Sequence, residues 1–213
     1  RRHTRYISVT GVQTCALPIF DSGKADSKSV WRQAKVDGLE MVRALAMNPD
    51  GSVWVGGEPG GLRLMNPRTG QARIVKEADG GTPFGVRWLM VDHEGRVWVA
   101  AQSGLYQSTA AVAFGKSFHL VRLVPDGARP YEAFSKVIED RKGQIWAAGD
   151  FGLARLAGGN WTRFTERDGL KANQVAHIAE ESDGSLWIGY RDALGLSVLT
   201  FDRDKPRFAH VRS

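Results

Sequence analysis

Histidines, carboxylates and glycine loops are where catalysis would first be visible in a sequence, and in this chain they do not converge. The five histidines, His3, His93, His119, His177 and His210, never stand at metal-ligand spacing from a cysteine or from one another. A zinc centre, which gathers three or four such donors, is therefore not expected. No Gly-x-Ser-x-Gly turn presents a nucleophile, and no phosphate-cradling loop or dinucleotide fingerprint occurs. The pairs Gly56-Gly57, Gly60-Gly61 and Gly158-Gly159 read as turns. Asp-Gly pairs such as Asp50-Gly51 and Asp183-Gly184 are flanked by apolar runs and read as two-residue hairpins, not calcium loops. The expectation is a chain without catalytic residues, metal or cofactor.

The chemistry that remains is recognition. Arg43, Arg87, Trp88, Lys136 and His177 recur at one place in a repeated unit, and Glu58, Gln102, Asp150, Phe151, Tyr190, Arg191 and Asp192 at another. Guanidinium and ammonium groups suit an anionic ligand through charge-assisted hydrogen bonds, and the aromatic rings suit stacking. From these, Arg43, Arg87, Trp88, Lys136, His177, Asp150, Tyr190 and Arg191 form the candidate binding set. The bland alternative is that they are ordinary loop and channel-lining residues.

The elements that would position them come from a repeat. Trp54, Trp98, Trp146 and Trp187 are spaced by 44, 48 and 41 residues, and each lies three after a glycine. Segments such as Asp50-Gly-Ser-Val-Trp-Val-Gly56 and Asp183-Gly-Ser-Leu-Trp-Ile-Gly189 read as a turn feeding a buried strand. Twelve and nine residues before each Trp stand Val42 and Leu45, Val86 and Leu89, Phe134 and Val137, and Val175 and Ile178, marking a preceding inner strand. Gly61-Leu62, Gly104-Leu105, Gly152-Leu153 and Gly195-Leu196 open a third strand. Polar runs such as Ala72–Val75 and Trp161–Phe164 supply a fourth. Four strands per 40 to 50 residues is the period of a propeller blade.

The fold class expected is all-β, a partial β-propeller of about four four-stranded blades. Blades are assigned to 39–83, 84–130, 131–172 and 173–213, with 20–38 as the outer strand of a preceding blade. Gly-x-x-Trp turns and β-branched runs are poor helix material, and a β-sandwich would not require four copies of one motif. The tryptophans read as packing between blades, each indole N–H seeking a backbone partner. In a propeller, the loop entering the inner strand and the loop leaving the second strand share one face, which is where the two recognition groups fall.

Composition agrees with a folded, soluble domain: 42% of residues are hydrophobic and 24% charged. No stretch approaches a membrane-spanning length. The formal charge is +6, but Arg1, Arg2 and Arg5 supply half of it, and elsewhere basic residues are mixed with acids. No basic stripe suggests nucleic acid. Residues 1–19 resemble translated sequencing-adaptor DNA and are excluded from the fold, which removes the single cysteine, Cys15, from consideration.

The offsets around each Trp resemble the two-component regulator propeller repeat, approximately Val-x-x-Ile-x-x-Asp-x-x-Gly-x-Leu-Trp-Ile-Gly-Thr with Gly-Leu shortly after. Val175, Ile178, Gly184, Leu186, Trp187, Ile188 and Gly189 agree with it. Ser182 is aligned with the acid of that pattern, which other units keep as Asp92 and Asp140, and Ala100 and Ala148 replace the glycine after the strand. The resemblance implies a seven-bladed sensor, periplasmic or extracellular, upstream of a membrane helix and a histidine kinase, diguanylate cyclase or DNA-binding output in the same full-length chain, with a homodimeric parent. Seven blades would need about 300 residues, so the chain is expected to be a fragment with apolar faces bared at both ends. The expected function is non-catalytic sensing of an anionic or carbohydrate ligand. A propeller enzyme of the lyase or lactonase kind would instead need acids, histidines or a metal at the channel mouth. A protein-interaction scaffold would show a flat apolar patch.

Overall fold

The computed structural model describes residues 36–59, 61–129 and 131–211. The adaptor-like leader and most of the preceding outer strand lie outside the described residues. Four separate four-stranded antiparallel sheets are formed, each with its strands side by side in chain order. The first holds β1 (Leu39–Met47), β2 (Val53–Pro59), β3 (Gly61–Met65) and β4 (Ala72–Ile74). The second holds β5 (Val86–Val91), β6 (Val97–Ala101), β7 (Gly104–Ser108) and β8 (Leu120–Leu123). The third holds β9 (Phe134–Glu139), β10 (Ile145–Gly149), β11 (Gly152–Ala157) and β12 (Asn160–Phe164). The fourth holds β13 (Val175–Glu180), β14 (Leu186–Tyr190), β15 (Leu196–Asp202) and β16 (Lys205–His210), preceded by a 3-10 turn at Glu166–Asp168. The first strands β1, β5, β9 and β13 neighbour one another from sheet to sheet. They are the inner strands of a partial β-propeller, and each sheet is a blade built on one Trp.

Each first hairpin closes through three loop residues, not the two expected from pairs such as Asp50-Gly51 and Asp183-Gly184. In the second blade the Asp92 N–H donates to the Arg96 carbonyl (2.9 Å) and the Gly95 N–H to the Asp92 carbonyl (2.9 Å). This is a tight turn followed by a left-handed residue, so glycine is required: Gly51, Gly95, Gly143 and Gly184 have φ of 81°, 78°, 72° and 84°. Gly152 shows the second use of glycine. A Cβ there would lie 2.4 Å from the Phe164 carbonyl oxygen, so β11 could not approach the outer strand with any other residue.

The inner strands carry a shared irregularity that explains their pattern. Apolar residues three apart should face opposite sides of a regular strand. A register shift falls between Val42 and Ala44, Val86 and Trp88, and Val175 and His177, and opposite Ala148 and Gly149 in the third blade. The extra residue, Arg43, Arg87, Ser135 or Ala176, is a β-bulge that returns the twelfth and ninth positions to one face. Val86, Leu89, Phe134, Val137, Val175 and Ile178 are all buried as a result.

The indole N–H groups find side chains where backbone partners were expected. Trp54 Nε1 donates to Asn48 Oδ1 (2.9 Å), Trp98 to Asp92 Oδ2 (2.9 Å), Trp146 to Asp140 Oδ2 (2.8 Å) and Trp187 to Glu181 Oε2 (2.5 Å). Glu181, not Ser182, therefore fills the acid's place in the fourth repeat, since the offset that matters is six residues before the Trp. In the third blade the second oxygen, Asp140 Oδ1, accepts the backbone N–H groups of Gln144 (2.8 Å) and Lys142 (2.9 Å). One carboxylate so fixes both turn and indole. In the first and fourth blades the work is divided, with Asp50 and Asp183 accepting from the backbone of Ser52 and Ser185.

Apolar burial runs as three seams between blades. Trp54, Leu62, Leu64 and Val75 meet Val86, Leu89, Val99 and Tyr106. Trp98, Ala100 and Leu105 meet Phe134, Val137, Ile145 and Ala154. Trp146, Leu153 and Phe164 meet Val175, Ile178, Ile188 and Leu199. Polar clasps tie the hairpin loop of one blade to the next. Asp50 Oδ2 accepts from the Phe114 N–H (2.7 Å), the His93 N–H donates to Glu139 Oε2 (2.8 Å), and the Arg141 N–H donates to Glu180 Oε2 (3.1 Å). The His93 ring also meets the Glu139 carboxylate, whose hydrogen bond and charge raise the imidazole pKa above its usual value.

Two outcomes follow. Asp140→Ala leaves a buried indole N–H and two turn N–H groups without their acceptor, and is expected to lower stability by about 2–3 kcal/mol in urea unfolding. Because protonated His93 is favoured in the folded state, its contribution is complete below about pH 6.5, the ordinary imidazole value. It is lost as pH rises through the raised value. An NMR titration of His93 is expected to show that raised midpoint, and Glu139→Gln to lower it towards the ordinary one.

Candidate functional site

The residues proposed from the sequence for recognition lie at one end of the blades, the entry group on or beside the bulges. There, second-strand exits hydrogen-bond inner-strand entries: the Gln102 N–H donates to the Gly85 carbonyl (3.0 Å), Asp150 to Ala133 (3.1 Å) and Arg191 to Gln174 (3.0 Å). The residue after each bulge pairs with the residue two beyond the Trp: Ala44 with Gly56, Trp88 with Ala100, Lys136 with Ala148 and His177 with Gly189. Trp88, Lys136 and His177 thus form a row across three successive inner strands.

Within the row, Lys136 Nζ lies 4.3 Å from the centroid of the Trp88 ring. An ammonium over an indole face gains about 0.5–2 kcal/mol, more as water is excluded. Burial pushes the Lys136 pKa below its usual value. Trp88 remains 37% exposed. Lys136 and His177 also line an open groove of about 440 Å3, together with Ala179, Trp187, Tyr190 and Leu196. Ser135, on the bulge of β9, donates to the Val175 carbonyl (2.7 Å) and pins the third inner strand to the fourth.

The remaining predicted residues divide by environment. Arg43 pairs with Glu58 (3.7 Å), and Arg191 with Asp150, the latter bridging the exits of the third and fourth blades. Arg87 occupies the bulge of β5 with no ion pair among the described residues. Gln102 packs beneath Gly85, and Asp192 is exposed in the last exit loop. Tyr190 departs from the loop reading: it is 8% exposed, and its hydroxyl donates to Ser197 Oγ (2.8 Å) while accepting from the Lys171 N–H (3.0 Å). With both roles of the hydroxyl used inside the fold, Tyr190 is a structural residue whose ring merely floors the groove. Phe151 likewise is 1% exposed and packs on Phe134 with centroids 4.7 Å apart.

Two residues at this end escape the sequence reading. Phe84 and Tyr131 are 53% and 76% exposed in the loops that enter β5 and β9. The Arg122 guanidinium sits 4.8 Å from the Tyr131 centroid and pairs with Glu77 (3.2 Å). Large aromatics two or three residues ahead of the entry positions were the available signal. Among the described residues, no three His, Cys, Asp or Glu side chains gather as metal ligands would, and no helix is long and apolar enough to cross a membrane.

If burial against Trp88 is what lowers Lys136, an NMR titration of the dimethylated lysines is expected to find Lys136 below the rest. Trp88→Ala is expected to move it back towards them.

No protein-family model matches the chain, and no curated protein matches it in sequence. Solved structures do share its fold. An extracellular domain assigned to a hybrid two-component system of B. thetaiotaomicron superposes with a TM-score of 0.62 at 15% identity, over 80% of this chain and 25% of that one. PorZ, a surface component of the type-IX secretion system of Porphyromonas gingivalis, gives 0.61 at 22% identity, over 79% and 27%. Virginiamycin B lyase from Staphylococcus aureus gives 0.57 at 15% identity, over 81% and 55%. The chain thus spans about a quarter of the first two structures and just over half of the third.

Proposed function

We propose that this chain is the ligand-recognising part of an extracytoplasmic sensor propeller in a two-component-type receptor, non-catalytic in itself, and that its output module belongs to the same full-length protein. The observation that carries this reading is the row of Trp88, Lys136 and His177, drawn from three blades onto one end, with a lysine resting on a half-exposed indole. The fold shared with an extracellular domain of a hybrid two-component system supports the setting. A periplasmic or extracellular location belongs to the same proposal.

The ligand class is an acidic oligosaccharide. Sugar rings stack on Trp88 while carboxylates meet Lys136 and the nearby Arg43, Arg87 and Arg191, the first and last of which already hold an acid that a ligand carboxylate would replace. Binding across three blades would bias their relative packing, and with it whatever the propeller contacts downstream.

Calorimetric titration of the chain with an oligogalacturonate, and with a neutral cello-oligosaccharide as control, tests this. The acidic sugar is expected to bind and to weaken with added salt. Trp88→Ala and Lys136→Gln should each cost at least about tenfold in affinity, whereas Arg207→Gln on the outer strand should have no effect. Equal binding of the neutral sugar, or indifference to both substitutions in the row, would overturn the assignment.

A further inference from the structure

Two pairs of an aromatic ring and a cation join the second blade to the segment that leads into the third. Trp88 on β5 meets Lys136 of β9, and Arg122 on β8 meets Tyr131 in the loop entering β9, its guanidinium 4.8 Å from the ring centroid. Glu77, with a side chain only 7% exposed, pairs with Arg122 (3.2 Å), and the buried Tyr106 ring lies 5.3 Å from the same guanidinium. The Tyr106 hydroxyl donates to Ser103 Oγ (2.8 Å), which accepts the N–H of Phe84 (2.8 Å), so the exposed residues Tyr131 and Phe84 are both tied to one network. The ladder sets the two pairs in line: Trp88 stands opposite Ala100, Ala100 opposite Leu105, and Leu105 opposite Leu123, the chain neighbour of Arg122. Strands β5 and β8 are three spacings apart in the sheet, or about 14 Å.

We infer that the ligand site continues outward along the second blade from Trp88 and Lys136 to Tyr131, which stacks a second ring of the same oligosaccharide. This rests on the acidic-oligosaccharide reading and adds the course of the ligand and the distance it must span. The turn between the two pairs, Gln102-Ser103, is polar and half-buried. A protein partner would bury an apolar core without such an interruption. A chain of sugars, apolar on its ring faces and polar at its edges, alternates as this surface does.

Calorimetric titration of the full chain with digalacturonate and with hexagalacturonate compares a short probe with one long enough to reach both rings. The longer sugar is expected to bind the parent at least about tenfold more tightly. Tyr131→Ala is expected to abolish most of that ratio and Tyr131→Phe to keep it, whereas Trp88→Ala weakens both sugars. Tyr131 is 76% exposed, so the alanine variant should keep the parent's urea midpoint, and loss of the ratio then reports on the ring and not on folding. Equal affinity of the parent for the two lengths, or a ratio that Tyr131→Ala leaves intact, would overturn the extension. If Trp88→Ala still weakens both sugars in that case, the site at the row stands and the outer ring is left to a protein partner. Failure of the parent to bind either sugar would overturn the reading of the row, and this inference with it.

Discussion

The fold hangs on how four indoles are held. All four donate the N–H to a side chain six residues upstream, and Trp54, Trp98 and Trp146 present their rings to a seam, so one residue couples the hairpin within a blade to the contact between blades. A buried N–H without an acceptor would cost about as much as the hydrogen bond gives, roughly 1–3 kcal/mol. The partner is therefore part of the packing. Nature of the partner varies, as Asn48, Asp92, Asp140 and Glu181, and the variation is compensated locally. Where Asp92 or Asp140 has two oxygens for indole and turn, Asn48 and Glu181 serve the indole while Asp50 and Asp183 close the turn.

The bulge is the second device, and it links architecture to the site. A single extra residue on each inner strand turns two apolar positions towards the preceding blade and aims the next residue the other way. It recurs in all four blades, so the residues beside it line up. In the first blade the small, buried Ala44 stands at that place. Where Trp88, Lys136 and His177 stand, the same backbone displays an aromatic ring, an amine and an imidazole at one end of a stack. The row is thus carried by a backbone irregularity that the scaffold needs anyway.

Between blades, apolar seams and polar clasps divide the labour. The seams supply non-directional burial and set the blades face to face. Clasps from the hairpin loops, Asp50 to Phe114, His93 to Glu139 and Arg141 to Glu180, fix the angle at the end opposite the site. One of the three contains an imidazole, so that seam alone among them responds to pH near neutrality.

By itself the sequence determined whatever one repeat can encode. The Trp period, the glycine turns, the apolar inner strands and the polar outer ones all rest on hydrogen bonds and side-chain alternation within some fifteen residues, so the four-sheet architecture was legible. Reading the hairpins as two-residue loops, and Ser182 in place of Glu181, failed because a one-residue difference in a turn is decided by backbone angles that composition does not reveal. The site was legible only as positions. That Lys136 rests on Trp88, that Tyr190 and Phe151 turn inward, and that Phe84 and Tyr131 stand exposed were decided by the tertiary structure. The reason is physical: these neighbours come from different blades, and their distance depends on the bulge and on the rotation between sheets, which no single repeat contains.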